Sequence, residues 1–441
     1  MNSQKSYRRA FVFVAILFFL WGFTTVLIDS LIPRLRDMFM LNYFEAGLVR
    51  FAFFIPYLLF SIPAYFLLVK IGYKRGVTLG LLMMALGCFL FYPAAAQRLM
   101  SVYVLAIFVL ATGITFLQVA ANPYISTLGE KLEKINGLNV SQMFNALGAT
   151  IAPLIGAIFI LSNPIESLEE ISVLSAEEQQ IYLETEAAVV QIPFMNIGIF
   201  VMLLAIIFAF VKLPRIAKDS EKTSLKDYFS LFKKQSLLFG SVAIFLYVGA
   251  EVAIGSYLIN YFAEIGIVRN ILENKTMYSL VVMLGKIFGI PDFEHSDSKA
   301  IVAIFVMFYW GGAMVGRFVG FFLIKRVLPA RILIISSLSA ILLIIISINT
   351  EGLFSMWSIL AVGLFNSMMF PTIFALASDN LGELKPQALG ILCMMIVGGA
   401  IIPPIFGFFV DNIGFKMAFL TLVVCYGMIL FYGYYKRFVN T

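Results

Sequence analysis

The feature that most limits this chain is a succession of apolar runs, each about twenty residues long. Runs of that length cross the hydrocarbon of a bilayer as helices, whereas strands of a membrane barrel need only about ten residues. About twelve runs are present, with approximate limits 10–32, 45–69, 76–96, 100–124, 139–162, 191–213, 237–262, 299–324, 330–348, 353–377, 387–411 and 416–435. Composition agrees, because only 13% of residues are charged, against about 25% in soluble domains. The chain is therefore expected to be an all-α membrane protein. Its short basic N-terminus leads directly into a full-length run, which reads as a retained first helix and not a cleaved signal.

Charge sets the expected orientation. Residues 161–190 hold seven glutamates and no Lys or Arg, while residues 212–235 hold seven basic residues. The positive-inside tendency makes the second segment cytoplasmic. Lys5, Arg8, Arg9, Lys70, Lys74, Arg75, Lys325, Arg326, Lys436 and Arg437 then share its side, and both termini are inside. Arg34 and Arg36 are exceptions. The net charge of +6 thus belongs to one membrane face and gives no reason to expect nucleic acid. Cys88, Cys393 and Cys425 lie in apolar runs without metal-ligand spacing, and the single histidine, His295, is in a polar loop.

The basic segment divides the chain into an N-terminal six-helix half (1–213), a linker (214–236) and a C-terminal six-helix half (237–441). The halves echo each other. Asn122-Pro123-Tyr124-Ile125 matches Phe370-Pro371-Thr372-Ile373 at an offset of 248 residues. Ala149, Pro153 and Gly156 match Ala400, Pro404 and Gly407 at an offset of 251. Two parallel repeats with an even number of spans each are the pattern of the major facilitator fold. Prolines 123, 153, 371, 403 and 404 are expected to kink helices, and nearby glycines to let helices approach closely.

Polar residues at membrane depth are the candidate functional groups, since each needs a partner there. Gln118 and Asn122 share a helix face, and Asn139, Gln142 and Asn145 form a slanted stripe in the fifth run. Amides both donate and accept, which suits a hydroxyl-rich ligand, but they also serve as interhelical glue. Asn366 carries the same two readings. Asp29 lies near the end of the first run and is read as functional, or as an interfacial helix cap. Glu251 interrupts the seventh run with Tyr247 one turn before it. Its alternative is a structural pair with Arg317, although Arg317 is expected to snorkel to the cytoplasmic interface. Trp310 and Tyr257 are the aromatic candidates for stacking on a ring. Asn274-Lys275-Thr276 fits a glycosylation pattern, a match of little weight.

The segments LFFLWGF, DSLIP, LQVAANPY, NVSQMFNALGA, GAEVAIGS and FNSMMFPTIF resemble the fucose–proton symporter family of the major facilitator superfamily. They are most similar to its bacterial glucose/galactose transporter branch. The resemblance implies twelve helices in two pseudo-symmetric halves and uptake of a monosaccharide with a cation across the bacterial cytoplasmic membrane. It places Asp29 at the family's transport acid and Gln142 at an amide implicated in sugar binding. Gln118 stands where the fucose branch has a proton-carrying glutamate, and Glu251 where that branch has a glutamine. Val26 and Ile28 replace two first-helix amides of the fucose branch. Glucose or galactose is therefore preferred over fucose.

The resulting expectation is a cation-coupled sugar symporter working by alternating access, probed first by its contacts. Gln118, Asn122, Asn139, Gln142, Asn145, Tyr247, Glu251, Tyr257 and Asn366 are the expected sugar ligands. Asp29 and Gln118 are the coupling residues. A sodium ion at Asp29, completed by amide oxygens of Gln118, Asn122 or Gln142, is slightly preferred to a proton. No cofactor is expected beyond the co-transported ion, and the chain is expected to act as a monomer in the bilayer. The alternatives are an L-fucose–proton symporter, or a passive facilitator or sugar sensor of the same fold. An intramembrane enzyme is disfavoured, because no nucleophile–base pair or ligand cluster lies within the runs.

Overall fold

In hydrocarbon a backbone N–H or carbonyl must find its partner within its own segment, so each long apolar run becomes a helix. The structure is a computed structural model that describes residues 2–131, 137–161, 175–211, 231, 233–287, 298–323, 326–379, 381 and 385–439. The first six helices are α1 (Asn2–Met38), α2 (Tyr43–Ile71), α3 (Tyr73–Ala96), α4 (Met100–Lys131), α5 (Gly137–Phe159) and α6 (Ala176–Phe210). Then follow α7 (Gln235–Glu264), α8 (Ile267–Glu273), α9 (Lys275–Ile287), α10 (Ser298–Leu323), α11 (Pro329–Asn349) and α12 (Gly352–Ala377). The chain ends with α13 (Lys385–Met394), a 3₁₀ turn (Met395–Val397) and α14 (Gly398–Val439).

Eleven segments of the described residues are long and apolar enough to cross a membrane, and the last of them is 49 residues long. Gly414, at φ 76° and ψ 166°, breaks that last segment into two legs. A side chain would strain this left-handed backbone, so glycine is the residue that permits the reversal. The break yields twelve crossings. The start of α1, the end of α6, the start of α7 and the end of α14 consequently lie on one face, here the terminal face. The α1–α2 and α3–α4 connections, the end of α5, the start of α6 and the Gly414 reversal lie on the other, the loop face. Phe210, Val424 and Phe438 are among many large apolar side chains left exposed on the exterior, a surface suited to lipid.

Two expectations about element limits need correction. The sixth helix starts at Ala176 and not near 191, because Ser175 and Glu178 form a capping box that extends it through acidic sequence. Between the seventh and eighth crossings the structure adds the short helices α8 and α9. Asn274 opens α9, its Oδ1 accepting from the backbone N–H groups of Thr276 and Met277 at 3.1 Å each. The Asn-Lys-Thr pattern is thus the start of a helix. The linker 214–236 lies mostly outside the described residues, as does His295.

The internal repeat appears as two matching helix crossings. In the first half Gly22 of α1 meets the Asn145 carbonyl of α5, and Gly148 meets the Phe19 carbonyl. In the second half Gly249 of α7 meets the Gly398 carbonyl of α14, and Gly398 meets the Phe245 carbonyl. A Cβ at any of these positions would collide with backbone, so small residues set the close approach. The matched Ala-Pro-Gly positions lie on α5 and α14, the helices that make these crossings. Arg34, an exception to the charge pattern, is buried and donates to the Ile160 carbonyl at 2.8 Å, tying α1 to the end of α5. Arg36, the other exception, lies 4.0 Å from the centre of the Tyr43 ring.

Candidate functional site

The first cluster joins three helices around one acid. α1 buries Asp29, and α2 brings Arg50, itself buried, into an ion pair with it. Ser256 of α7 completes the group from the second half. Arg50 Nε donates to Ser256 Oγ at 2.8 Å, and Ser256 Oγ donates to Asp29 Oδ1 at 2.6 Å. Arg50 also reaches the Thr25 carbonyl at 3.5 Å and lies 5.7 and 5.8 Å from the ring centres of Phe53 and Phe54. A buried charge of either sign is costly alone, and each group here offsets the other.

Arg50 is the member of this cluster that sequence reasoning missed. The signal was available, since a lone arginine in the apolar run LVRFAFF is as anomalous as a lone acid. Its presence does not support the sodium expectation. A metal cation at Asp29 would lie beside a guanidinium already satisfying that carboxylate. Of the amides proposed to complete a sodium shell, Gln118 is engaged elsewhere. Gln118 Nε2 instead donates to the Tyr57 hydroxyl at 2.7 Å. Among the described residues no three His, Cys, Asp or Glu side chains gather as metal ligands.

The second cluster lies where α7, α10, α12 and α5 meet. Glu251 is half-buried, with the Tyr247 side chain beside it one helical turn earlier. Tyr309 of α10 donates to the Glu251 backbone carbonyl at 3.3 Å. Trp310, edge-on to Tyr309 at 5.1 Å, has a buried indole Nε1 with no hydrogen-bond partner among the described residues. Arg317 does not snorkel to the interface. It crosses to the first half, where it donates to the Gln142 carbonyl at 2.9 Å and to Asn145 Oδ1 at 3.3 Å. Asn145 Nδ2 in turn donates to the Phe18 carbonyl at 3.1 Å.

The candidate amides therefore divide. Gln142 and Gln118 are half-buried. Asn366 is buried with its amide fully engaged: Nδ2 donates to Tyr309 at 2.9 Å and Oδ1 accepts from Tyr426 at 2.8 Å. Those bonds tie α10, α12 and α14 together, the interhelical reading of this expected sugar ligand. Asn122 and Asn139 lie on α4 and α5, but their side chains are outside what the structure describes.

Tyr257, another expected sugar ligand, lies in the closure of the loop face. Its hydroxyl approaches the Tyr43 carbonyl of α2 at 2.6 Å and the Pro403 carbonyl of α14 at 3.3 Å. Around it the halves are tied several times. Asp411 of α14 accepts from the backbone N–H groups of Tyr43 and Phe44 at 2.9 and 2.8 Å. These are orphan donors at the start of α2, where a negative charge is favoured. The Tyr43 hydroxyl donates to Glu264 at 3.1 Å, and Lys299 pairs with Asp37. A Cβ on Gly407 would meet the Tyr257 oxygen at 2.6 Å, and one on Gly47 would meet Pro404 Cα at 2.6 Å. Bare glycine backbone therefore permits this seal.

Residues 12–395 match the family model described as Major Facilitator Superfamily. The glucose/galactose transporter of Brucella abortus is 41% identical over 432 residues, covering 98% of this chain and 95% of that protein. The L-fucose-proton symporter of Escherichia coli is 32% identical over 446 residues, covering 99% and 94%. A crystal structure of the Escherichia coli fucose:proton symporter superposes with a TM-score of 0.72 at 30% identity, covering 98% of this chain and 99% of that one. A second structure, of the transporter FucP in the outward conformation, gives the same TM-score of 0.72 at 29% identity. These relatives are transporters and not enzymes, and the more similar of the two named curated proteins is of the glucose/galactose type. With a family model over most of its length and full-length identity to these proteins, the chain belongs to the major facilitator superfamily.

Proposed function

We propose that this chain is a symporter that carries a glucose- or galactose-type monosaccharide together with a proton by alternating access. The observation that carries the reading is the Asp29–Arg50 ion pair, buried against Ser256 of the opposite half. A carboxylate that can hold a proton and a permanent cation that replaces that proton form a coupling pair at the seam between moving halves. The Escherichia coli relative is named a proton symporter, which supports a proton over sodium.

The sugar site is assigned to the second cluster. Glu251 offers a half-buried carboxylate acceptor with Tyr247 beside it, and Trp310 offers an unused donor. A sugar hydroxyl both donates and accepts, so such a pairing can satisfy it in a dry pocket. Gln142 and Gln118 would face the sugar from the first half. The Brucella relative's name and its higher identity support a glucose or galactose substrate. The closed loop face is one end state of the cycle, and the relative solved in an outward conformation supports a second. The basic residues of the terminal face support a cytoplasmic placement for both termini in a bacterial inner membrane.

Uptake of labelled sugar into proteoliposomes tests the coupling. A pH gradient alone, without sodium, is expected to drive accumulation of glucose or galactose. Accumulation on a sodium gradient at fixed pH, with no response to a pH gradient, would overturn the proton assignment. Uptake that never exceeds equilibrium would make the chain a facilitator, and uptake of fucose alone would overturn the sugar assignment.

The first-half wall has its own test. Gln118→Cys, in a background lacking Cys88, Cys393 and Cys425, is expected to react with a small aqueous thiol reagent and to be protected by sugar. No reaction with or without sugar would return Gln118 to a structural bond with Tyr57.

A further inference from the structure

Asp29 and Arg50 both belong to the first half, on α1 and α2, and so travel together when the halves separate. Ser256 does not. It is a buried residue of α7, and its hydroxyl is the one second-half group that hydrogen-bonds to both members of the pair among the described residues. The bonds are directional and use the hydroxyl in both senses. Ser256 Oγ accepts from Arg50 Nε at 2.8 Å and donates to Asp29 Oδ1 at 2.6 Å.

Ser256 also begins a polar column. Asn260 and Glu264 follow at successive turns of α7, on the same helix face. Asn260 is buried with neither amide atom hydrogen-bonded among the described residues, and Glu264 accepts from Tyr43 of the first half at 3.1 Å. A polar face is a poor partner for lipid but can meet water when the loop-face seam opens. The column therefore lies along the surface that parts.

We propose that Ser256 is a positioning residue that ties closure of the loop face to the charge state of Asp29. This rests on the symport reading above. When the seam closes, the hydroxyl arrives with α7 and donates to the ionised carboxylate while accepting from its arginine. When the seam opens, that donor is withdrawn and Asp29 is left with Arg50 alone. A protonated Asp29 lacks the full acceptor, so closure and deprotonation favour each other. By reciprocity each favours the other by the same factor.

The test is a double-mutant cycle read from the conformational equilibrium. Met40→Cys and Ile413→Cys place spin labels at exposed loop-face positions of the two halves, in the full chain lacking its native cysteines and held in lipid nanodiscs. The ratio of short to long label distances reports closed over open. Asp29→Asn, which mimics the neutral acid, is expected to lower that ratio by about fivefold or more. In a Ser256→Ala background the same substitution is expected to change it by less than about twofold. Ser256→Thr keeps a hydroxyl and is expected to restore the sensitivity, which a purely structural role would not require. An equal effect of Asp29→Asn with and without the serine overturns the proposal, as does no effect in either background. Because the cycle needs no sugar or gradient, it stays readable if the wild type shows no pH-driven accumulation, an outcome that would sink the symport reading separately.

Discussion

Glu251→Gln is expected to weaken sugar binding by roughly ten- to a hundredfold while leaving the folded protein intact. A hydrogen bond to a charged group contributes about 1.5–3 kcal/mol net, and each 1.4 kcal/mol is about tenfold in affinity. Glutamine keeps the shape and one carbonyl acceptor but loses the charge. The substitution is mild for the fold, because Glu251 is only half-buried and makes no ion pair within 4 Å among the described residues. Calorimetric titration of the purified variant with glucose and galactose measures the change, and thermal unfolding in detergent checks the fold. Unchanged affinity in a stable variant would remove Glu251 from the sugar site. Asp29→Asn serves as the contrast, since it is expected to spare binding and sugar exchange while abolishing accumulation.

The gate makes a smaller prediction of the same kind. Asp411→Asn is expected to shift the spin-label distances of the loop face towards the open form, since an amide is a weaker acceptor for the two α2 donors than a carboxylate. A distribution identical to wild type would show that the remaining cross-half bonds close the face unaided.

The fold was legible because the constraint behind it is local. A run of about twenty apolar residues needs no knowledge of its neighbours to be a helix. Reading failed where that local rule is silent. The first turns of α6 are acidic and look like loop, yet a capping box at Ser175 carries the helix through them. α8 and α9 are too short to register as spans. The site was harder, because residue type does not reveal partners. Asn366 and Gln118 are both lone amides in apolar runs. Asn366 is fully engaged by Tyr309 and Tyr426, which lie 57 and 60 residues away, and Gln118 meets a tyrosine 61 residues away. Nothing in the sequence separates two such cases before the helices are packed. Arg50 is different, since its oddity was plain and only its partner was hidden. Twenty-one positions separate it from Asp29, so two adjacent spans bring the two charges level.

That pair carries the largest expected effect on stability. Arg50→Leu removes the cation and leaves Asp29 buried with a serine hydroxyl as its remaining partner among the described residues. Breaking a buried pair from one side costs about 3–5 kcal/mol, so the single variant is expected to lose a large part of its thermal stability. The double variant Asp29→Leu with Arg50→Leu removes both charges and fills the volume with apolar groups. Such replacements are often neutral or stabilising, so its melting temperature is expected to return to near the wild-type value. Its transport is not. With the coupling carboxylate gone, accumulation on a pH gradient is expected to vanish in the double variant, even though the protein is as stable as the parent. Thermal unfolding of the four proteins of the cycle, together with uptake by each, separates the two roles. If the double variant still accumulates sugar on a pH gradient, the coupling group lies elsewhere. If it is no more stable than Arg50→Leu alone, the pair holds the helices together as well as carrying the charge.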